Sequence, residues 1–321
     1  MSVDLSVVIA AFDAAGTLDE QLAALARQRV AATWEVVVAD NGSTDDTRAV
    51  AGAWADRLPG LRVIDASARR GAGAARNIGV AAASGRDVVF CDADDVVADD
   101  WLAAMHRALT CRTFVAGRFD GELLNSARVR RSRVLPQQDE LQYSAQLGLA
   151  HAGAGNLGLR RELFRAVGGF DPDALFLEDT DLCWRLQLAG VPLIWTPEAV
   201  VHVRLRGTFR SALRQGYHYG SGEHWLSRRY REQVERAAEV SHRITGSRDP
   251  GGVVAEYGRG RRLLHRAGAT LGSLARVHSL GALGAWCWEL GFGLGYAYAP
   301  VGDPAPVRIT PVTGPRSVAA A

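Results

Sequence analysis

The sequence predicts an α/β fold: a doubly wound, mostly parallel sheet flanked by helices, followed by a helical C-terminal extension. Three observations predict it. Apolar, β-branched runs alternate with helical patterns through the first hundred residues. Polar clusters directly follow two of those runs, as ligand-binding loops do in open α/β sheets. The composition then changes after about residue 246, which divides the chain into a main domain (1–245), an extension (246–300) and a tail (301–321).

The elements of the main domain follow from periodicity and from end signals. Short apolar runs predict strands, at residues 5–10, 35–39, 61–64, 87–91, 192–195 and 199–203. Apolar positions at helical spacing predict helices, at residues 17–28, 72–83, 163–167 and 181–188. Ser43 with Asp46 predicts a capping box, and Ser84-Gly85 predicts a left-handed helix cap. The basic run 128–133 favours a solvated loop over the alternative of a binding patch.

The C-terminal extension combines an Arg-rich helical pattern at 259–266 with a Gly/Ala/Trp-rich stretch at 271–300. Arg276, His278 and Glu289 interrupt that stretch, so it makes a poor transmembrane helix. We expect it to pack on the main domain or to contact a membrane peripherally, rather than to span one. Prolines punctuate the tail, which predicts disorder.

Composition narrows the possible functions. The chain has 321 residues, of which 48% are hydrophobic and 22% charged, and its net charge of +2 gives no support for a nucleic-acid partner. It contains no lysine, which excludes Schiff-base and P-loop lysine chemistry. Its four cysteines are widely spaced, and Asp4 interrupts the apolar start with no basic segment before it. We therefore expect a reducing, cytoplasmic location.

Acidic clusters follow the second and fourth predicted strands. Asp40 and Asn41 end the second strand, while Asp92, Asp94 and Asp95 follow the fourth. Carboxylates two residues apart can converge on Mg²⁺ or Mn²⁺, which prefer oxygen ligands. Such a cation would compensate the charge of a diphosphate leaving group. The alternative for either cluster is an ordinary turn, in which Asp and Asn are common.

Three further features suggest chemistry. Glu178, Asp179 and Asp181 open a predicted helix; one carboxylate could act as a general base for an acceptor hydroxyl, or the acids could simply complement the helix dipole. His202 ends a predicted strand and is either a structural residue or a member of a metal or diphosphate site. Arg76 follows a glycine-rich loop, where it is available for phosphate.

In this order and spacing, the motifs of residues 4–210 resemble the inverting glycosyltransferase family 2. The matching segments are Ser6-Val7-Val8-Ile9, Asp40-Asn41-Gly42-Ser43, Arg76-Asn77, Asp92-Ala93-Asp94-Asp95, Gly155-Asn156-Leu157, Gly168-Gly169-Phe170-Asp171 and Glu178-Asp179-Thr180-Asp181-Leu182. The resemblance implies a GT-A fold. It also implies a metal-dependent transfer of one sugar, with inversion, from a nucleotide-diphosphate donor to an acceptor hydroxyl.

The resemblance also implies site roles. Asp179 would be the general base, with Glu178 or Asp181 shaping its pKa. Asp94, Asp92 and His202 would hold Mn²⁺ or Mg²⁺. The implied donor-binding residues are Asp13, Asp40, Asn41, Arg76, Asn77 and Asp92, and the acceptor-side residues are Gly155, Asn156 and Asp181. The donor would be UDP-, GDP- or dTDP-linked. The sequence does not identify the acceptor; a lipid-linked glycan and a small molecule are the candidates, and the stretch 271–300 suggests a lipid-linked one, at the inner face of the cell membrane.

The sequence departs from the family pattern in two places. Ala10-Ala11-Phe12-Asp13 replaces the usual proline and aromatic-Asn pair, and no Q-x-x-R-W follows His202, which argues against a processive polysaccharide synthase. Two alternatives remain beside a transferase. One is a non-catalytic module that binds nucleotide sugars. The other is a sugar-nucleotide nucleotidylyltransferase, although the Gly-rich basic N-terminal loop and the lysine of those enzymes are missing.

Overall fold

The structure is a computed structural model that describes residues 3–132, 135–144, 147–245, 277–307 and 311. The predicted Arg-rich helix at 259–266 lies outside these residues, as does the tail after residue 307 apart from residue 311. Within the described residues, eight strands form one sheet, and two short strands form a separate ribbon.

The main sheet contains β1 (Leu5–Ala11), β2 (Trp34–Asp40), β3 (Arg62–Asp65), β4 (Asp87–Cys91), β5 (Val96–Val97), β6 (Phe114–Asp120), β9 (Asn156–Arg160) and β10 (Ile194–His202). Its strand order is β3-β2-β1-β4-β9-β6-β10-β5. The first four strands in that order are parallel, as is the β6–β10 pair, whereas β9 and β5 run antiparallel to their neighbours. The ribbon pairs β7 (Gln142–Tyr143) with β8 (Ala150–His151). The mostly parallel, helix-flanked sheet is therefore confirmed.

The described helices are α1 (Leu18–Ala26), α2 (Thr47–Gly52), α3 (Ala72–Ala82), α4 (Trp101–Cys111), α5 (Ala127–Arg130), α6 (Arg161–Ala166), α7 (Glu178–Leu188), α8 (Phe209–Arg229), α9 (Arg231–Thr245) and α10 (Leu280–Tyr298). Helices α4, α8 and α9 had not been predicted. Helix α8 escapes periodicity analysis because several of its buried positions are glycines, which give no apolar signal.

Side chains on opposite faces of β1 enter two different cores, which explains the layered architecture. Val7 and Ile9 pack with residues of α1 and α4, whereas Val8 packs with residues of α3, α6, α7 and α8. Because alternate residues of a strand point to opposite faces, one continuous apolar run supplies both cores. The sheet therefore lies between two helical layers.

Two predictions made from local signals are wrong at β10 and α2. The strands predicted at 192–195 and 199–203 are one strand, whose pairing with β6 is irregular between Thr196 and Val200. Pro197 lies in that interval and has no N–H to donate to the ladder. The predicted capping box is absent because Asp46 caps α2 without a side-chain hydrogen bond, and Ser43 instead accepts from the backbone of Asp13.

Two other local predictions also need correction. Helix α3 ends at Ala83 in an extended conformation, not in a left-handed cap, because the chain enters β4 directly. Gly85 serves close packing instead, since a Cβ there would lie 2.6 Å from the Ser6 nitrogen. The loop predicted at 128–133 begins inside helix α5, which Ser126 caps by accepting from the Val129 N–H.

The C-terminal helix α10 packs against α8 through glycines of both helices. After α10 the chain returns to α8: Arg228 forms an ion pair with Asp303, and Val307 is nearly buried. Among the described residues, no helix combines the length and the apolar character needed to cross a membrane.

Candidate active site

The first two loops at the carboxyl edge of the sheet are joined by side-chain hydrogen bonds. The Asp13 N–H donates to the Ser43 hydroxyl at 3.0 Å, and the Asp13 carboxylate accepts from the Thr44 N–H at 2.8 Å. Asp13 has a left-handed backbone, with φ 46°, which Asp tolerates better than most residues. The exposed Asp13 therefore lies at the edge of the site but holds the loop after β2.

Asp40 is the last residue of β2 and Asn41 is the next residue, and their side chains make different contacts. Asp40 is fully buried, and its Oδ2 atom has no hydrogen-bond partner among the residues that the structure describes, while Arg48 Nε lies 3.7 Å away. Buried carboxylate oxygens without hydrogen-bond partners are uncommon in native structures, which singles out this atom as a candidate acceptor. Asn41 bonds to the backbone of residues 66, 69 and 71 instead. Its amide is used to shape that loop.

Asp92, Asp94 and Asp95 offer ligand oxygens that lie within 4.8 Å of one another. Burial raises the pKa of Asp94, and the charge of Asp92 adds to this effect. The same two causes raise the pKa of Asp95 well above its usual value. Arg206 lies 3.2 Å from Asp94, and the Arg204 N–H donates to Asp95 at 2.8 Å. An all-oxygen set with excess negative charge fits a hard divalent cation such as Mn²⁺ or Mg²⁺.

Gly155 makes room for the acid cluster. A Cβ at this position would lie 2.6 Å from Asp92 Oδ2. The antiparallel pairing of β4 with β9 sets Cys91 opposite Asn156, so the residue before β9 lies under the residue after β4. Gly155 thus lies in the candidate site, where the absence of a side chain leaves space for the Asp92 carboxylate.

Arg76 connects the acid cluster to the start of helix α7. Arg76 is only 5% exposed. Its guanidinium donates hydrogen bonds to Asp92 at 2.6 Å and to Glu178 at 2.9 Å. Burial lowers the pKa of Arg76, but the charges of Asp92 and Glu178 outweigh it, so the pKa is raised overall. Both of these hydrogen bonds are charge-assisted and therefore strong. Arg76 is committed to these two carboxylates.

Glu178 and Asp179 occupy the first turn of α7, after Leu177 with a left-handed φ of 59°. Asp179 accepts from the Ala154 N–H at 3.1 Å and from the Thr180 N–H at 2.8 Å, which fixes its carboxylate beside the loop before β9. Burial and the charge of Asp179 raise the pKa of Glu178 to about 7, against the opposing effect of Arg76. Two adjacent acids therefore differ in environment.

His202 ends β10 next to the acid cluster. It pairs across the sheet with Val96, one residue after Asp95. Its Nδ1 atom lies 3.2 Å from Asp120 Oδ1, so Asp120 orients the imidazole. The group of converging ligand atoms consists of Asp92, Asp94 and Asp95. His202 lies next to this group but is not part of it.

Three predicted site residues direct their side chains into the protein. Asn77 exchanges two hydrogen bonds with the backbone of Phe170. Asn156 is fully buried between Trp101 and the carbonyls of residues 118 and 199. Asp181 is fully buried and binds Arg185, Arg229 and Tyr230. Sequence matching found their positions but not their directions.

Sequence analysis missed Arg204, Arg206 and Asp120 as members of the site. Arg204 and Arg206 follow His202 with one residue between them, and a pair of basic residues beyond a strand that ends near an acid cluster is a signal that could have identified them. Asp120 ends β6, so the rule that ligands bind beyond strand ends would have found it once β6 was recognised.

Comparison with solved structures defines the fold as GT-A. The mannosyltransferase PcManGT from Pyrobaculum calidifontis, solved with GDP-Man and Mn²⁺, matches with a TM-score of 0.57 at 18% identity, over 92% of this chain and 87% of that one. S. aureus TarS 1-349, solved with UDP, matches with a TM-score of 0.54 at 16% identity, over 91% and 90% of the two chains.

Sequence comparison gives the family. The model of glycosyl transferase family 2 matches residues 6–168, and that of glycosyl transferase family group 2 matches residues 143–304. The chain belongs to glycosyl transferase family 2. The pre-mycofactocin glycosyltransferase of Mycobacterium tuberculosis is 29% identical over 211 residues, which are 62% of this chain and 43% of that protein. Succinoglycan biosynthesis protein ExoO of Rhizobium meliloti is 42% identical over 103 residues, or 32% and 28% of the two chains. The chain thus spans less than half the length of these two curated relatives.

Proposed function

We propose that this chain is a metal-dependent, inverting glycosyltransferase, which transfers one sugar from a nucleotide-diphosphate donor to an acceptor hydroxyl. The observation that supports this best is the Arg76 bridge. It joins the oxygen cluster of Asp92, Asp94 and Asp95 to the acidic turn of Glu178 and Asp179. One site thus contains both a place for a cation and a separate carboxylate.

Asp179 is the proposed general base. Backbone N–H groups of Ala154 and Thr180 hold its carboxylate in one orientation, so it can take the proton of an acceptor hydroxyl as that oxygen attacks the anomeric carbon. The proposed base lies on helix α7, whereas the leaving group would be held at the loop after β4, which is a different element. Single displacement needs them on opposite sides of the sugar, and configuration then inverts.

Asp94 and Asp92 are the proposed metal ligands, with Asp95 and His202 beside them. When bound, Mn²⁺ or Mg²⁺ would neutralise the charge that develops on the leaving diphosphate. Arg206 lies 3.2 Å from the Asp94 carboxylate, and it can contact the same phosphates. Asp40 would accept an N–H of the nucleotide base through its unpartnered Oδ2 atom.

The donor class is proposed from the structural neighbours, which were solved with GDP-Man, UDP and UDP-GlcNAc. The acceptor class is proposed from the glucosyltransferase WfgD of Escherichia coli, whose name gives α-D-GlcNAc-diphosphoundecaprenol as acceptor and which is 26% identical over 140 residues. We propose a lipid-linked acceptor, which would place the enzyme at the inner face of the cell membrane.

A thermal-shift panel tests the donor site. UDP, GDP, dTDP and CDP are added with and without Mn²⁺ to the wild type, to Asp94→Ala and to Asp99→Ala, an exposed acid outside the cluster. A ligand at ~100 times its dissociation constant stabilises by about 2.7 kcal/mol. We expect one nucleotide to raise Tm only with metal, in the wild type and Asp99→Ala but not in Asp94→Ala. A shift in none of the conditions would contradict the proposed donor class.

A further inference from the structure

Helix α10 buries its glycines and leaves its large side chains at the surface. Its buried residues are Gly281, Gly284, Gly291 and Gly295. A helix that packs on a water-soluble domain normally buries a stripe of large apolar side chains. Here the five aromatic residues of the helix are half-buried or exposed, at positions 286, 288, 292, 296 and 298. The usual pattern of an amphipathic helix is inverted.

The contact between α10 and α8 is made by backbone against backbone. A Cβ at Gly291 or Gly295 would overlap the carbonyl oxygen of Leu213 or Tyr217. The same holds in the other direction for Gly216 and Gly220, against carbonyl oxygens of α10. Small residues four apart on both helices are typical of helix pairs that associate in lipid. The seam therefore has no room for side chains.

The helix pair and its N-terminal end expose an apolar surface. The exposed large residues there are Phe209 at 39%, Tyr219 at 40%, Leu280 at 56%, Leu294 at 40% and Tyr298 at 68%. Exposed apolar residues spread along a packed helix pair are typical of an interaction surface. Tyrosine and tryptophan are the residues enriched where protein meets the boundary between lipid and water.

Exposed arginines surround the N-terminal ends of the same two helices. The helices run in parallel, since Gly216 and Gly220 of α8 approach residues 288 and 292 of α10 in the same order. Arg210 and Arg214 on α8 and Arg128 on α5 are exposed, and the Arg131 backbone touches Gly281. Glu289 is the one charged residue of α10. Arginines beside an apolar surface favour an anionic lipid surface as the partner.

We propose that helices α8 and α10, with Arg128, Arg210 and Arg214, form a surface that docks on an anionic phospholipid bilayer. Arg206 precedes α8 and contacts Asp94, so docking sets the acid cluster of Asp92, Asp94 and Asp95 close to the lipid headgroups. The docking itself is independent of sugar transfer. Its use in reaching a lipid-linked acceptor rests on the proposed function.

Vesicle co-sedimentation of the full chain tests the proposal. Vesicles of phosphatidylglycerol mixed with phosphatidylcholine are compared with pure phosphatidylcholine. The test variants are Arg210→Glu/Arg214→Glu, which reverses charge, and Leu294→Asp/Tyr298→Asp, which removes exposed apolar contacts. Arg29→Glu/Arg112→Glu is the matched control, because both arginines are exposed and precede strands β2 and β6, at the opposite edge of the sheet.

We expect the wild type and the control to sediment with anionic vesicles, less so at high salt. Both test variants should partition about tenfold more weakly. All four substituted positions are exposed, so an unchanged Tm verifies folding. Absence of wild-type binding, or equal binding by all variants, overturns the proposal. So does a dimer of the wild type that the test variants dissociate, since the surface would then bind a second copy. Nucleotide thermal shifts measured in parallel separate this outcome from failure of the proposed donor site.

Discussion

Arg76 Nη1 lies 2.9 Å from Glu178 Oε1, although 102 residues separate the two in the chain. Arg76 Nη2 donates to Asp92 Oδ1 at 2.6 Å, so one nearly buried cation fixes the distance between the loop after β4 and the start of α7. A planar guanidinium can serve two carboxylates at once. One side chain therefore holds the acid cluster at a fixed position relative to the turn that carries the proposed base, Asp179.

Arg76→Ala should lower the free energy of unfolding by about 3–5 kcal/mol, because it leaves two carboxylates without their buried partner. Arg76→Lys should recover only part of this loss, since an ammonium lacks the fork that reaches both acids. Urea denaturation of both variants measures the effect. Arg29→Ala, at an exposed position, should stay within about 0.5 kcal/mol of the wild type. Equal stability of Arg76→Ala and Arg29→Ala would show that the bridge is not structural.

Glu178 should make stability depend on pH in a definite direction. Burial and the neighbouring Asp179 charge raise its pKa from 4.5 to about 7 in the folded state, so folding favours the protonated acid. Its contribution to stability is full below pH 4.5 and is lost as pH rises through 7. Relative to Glu178→Gln, the wild type should lose unfolding free energy over that interval and then level off. Denaturation curves from pH 4 to 8 measure this, and a difference that does not change with pH would mean that Glu178 stays ionised.

Sequence patterns could predict a candidate site because strand ends are predictable. Asp40, Asp92 and Asp94 follow β-branched runs, and parallel strands bring their carboxyl ends to one edge. The direction of a side chain is a different matter. Asn77 and Asp181 lie in matched motifs, yet both point into the interior, where backbone groups and arginines bind them. That choice depends on packing between distant elements, which one sequence does not specify.

The failure to predict helix α8 has a comparable physical cause. Helix α8 buries Gly216, Gly220 and Gly222, so the face that packs lacks the large apolar residues on which helical periodicity depends. Its partner α10 is similar, which is why the stretch could be recognised as apolar but not assigned to a packing face. The two helices are held together by contact between their glycine-rich surfaces, and such a contact leaves no periodic pattern of large apolar residues in the sequence.

Asp179→Asn should lower kcat by about 10²- to 10⁴-fold, because an amide cannot accept the proton of the acceptor hydroxyl. The amide oxygen can still accept from the Ala154 N–H, so the loop before β9 should keep its place. Once the donor is known, initial rates and nucleotide thermal shifts are measured together. The expected result is a lost rate with an unchanged nucleotide shift. A variant that keeps its rate would transfer the role of base to another residue, with Glu178 the first to test.

Gly155→Ala should weaken metal-dependent nucleotide binding. The added Cβ would lie 2.6 Å from Asp92 Oδ2, so the carboxylate must move from the cluster and from Arg76. Gly16→Ala is the matched control, since a Cβ there meets nothing within 4 Å. Titration of Mn²⁺ in the presence of the nucleotide measures the change. Equal metal affinity in the two variants would show that Asp92 can shift without consequence for the site.

Two glycines of α10 that are two residues apart should respond to alanine in opposite ways. A Cβ at Gly293 meets nothing within 4 Å, so Gly293→Ala should stabilise the protein by about 0.5–1 kcal/mol through helix propensity. A Cβ at Gly295 would overlap the carbonyl oxygen of Tyr217, and separating the helices should cost about 1–3 kcal/mol. The propensity gain is common to both variants, so the difference in their melting temperatures isolates the contact with α8. If both variants are stabilised equally, α10 does not pack on α8 through its glycines, and the surface proposed to meet lipid would lose its structural basis.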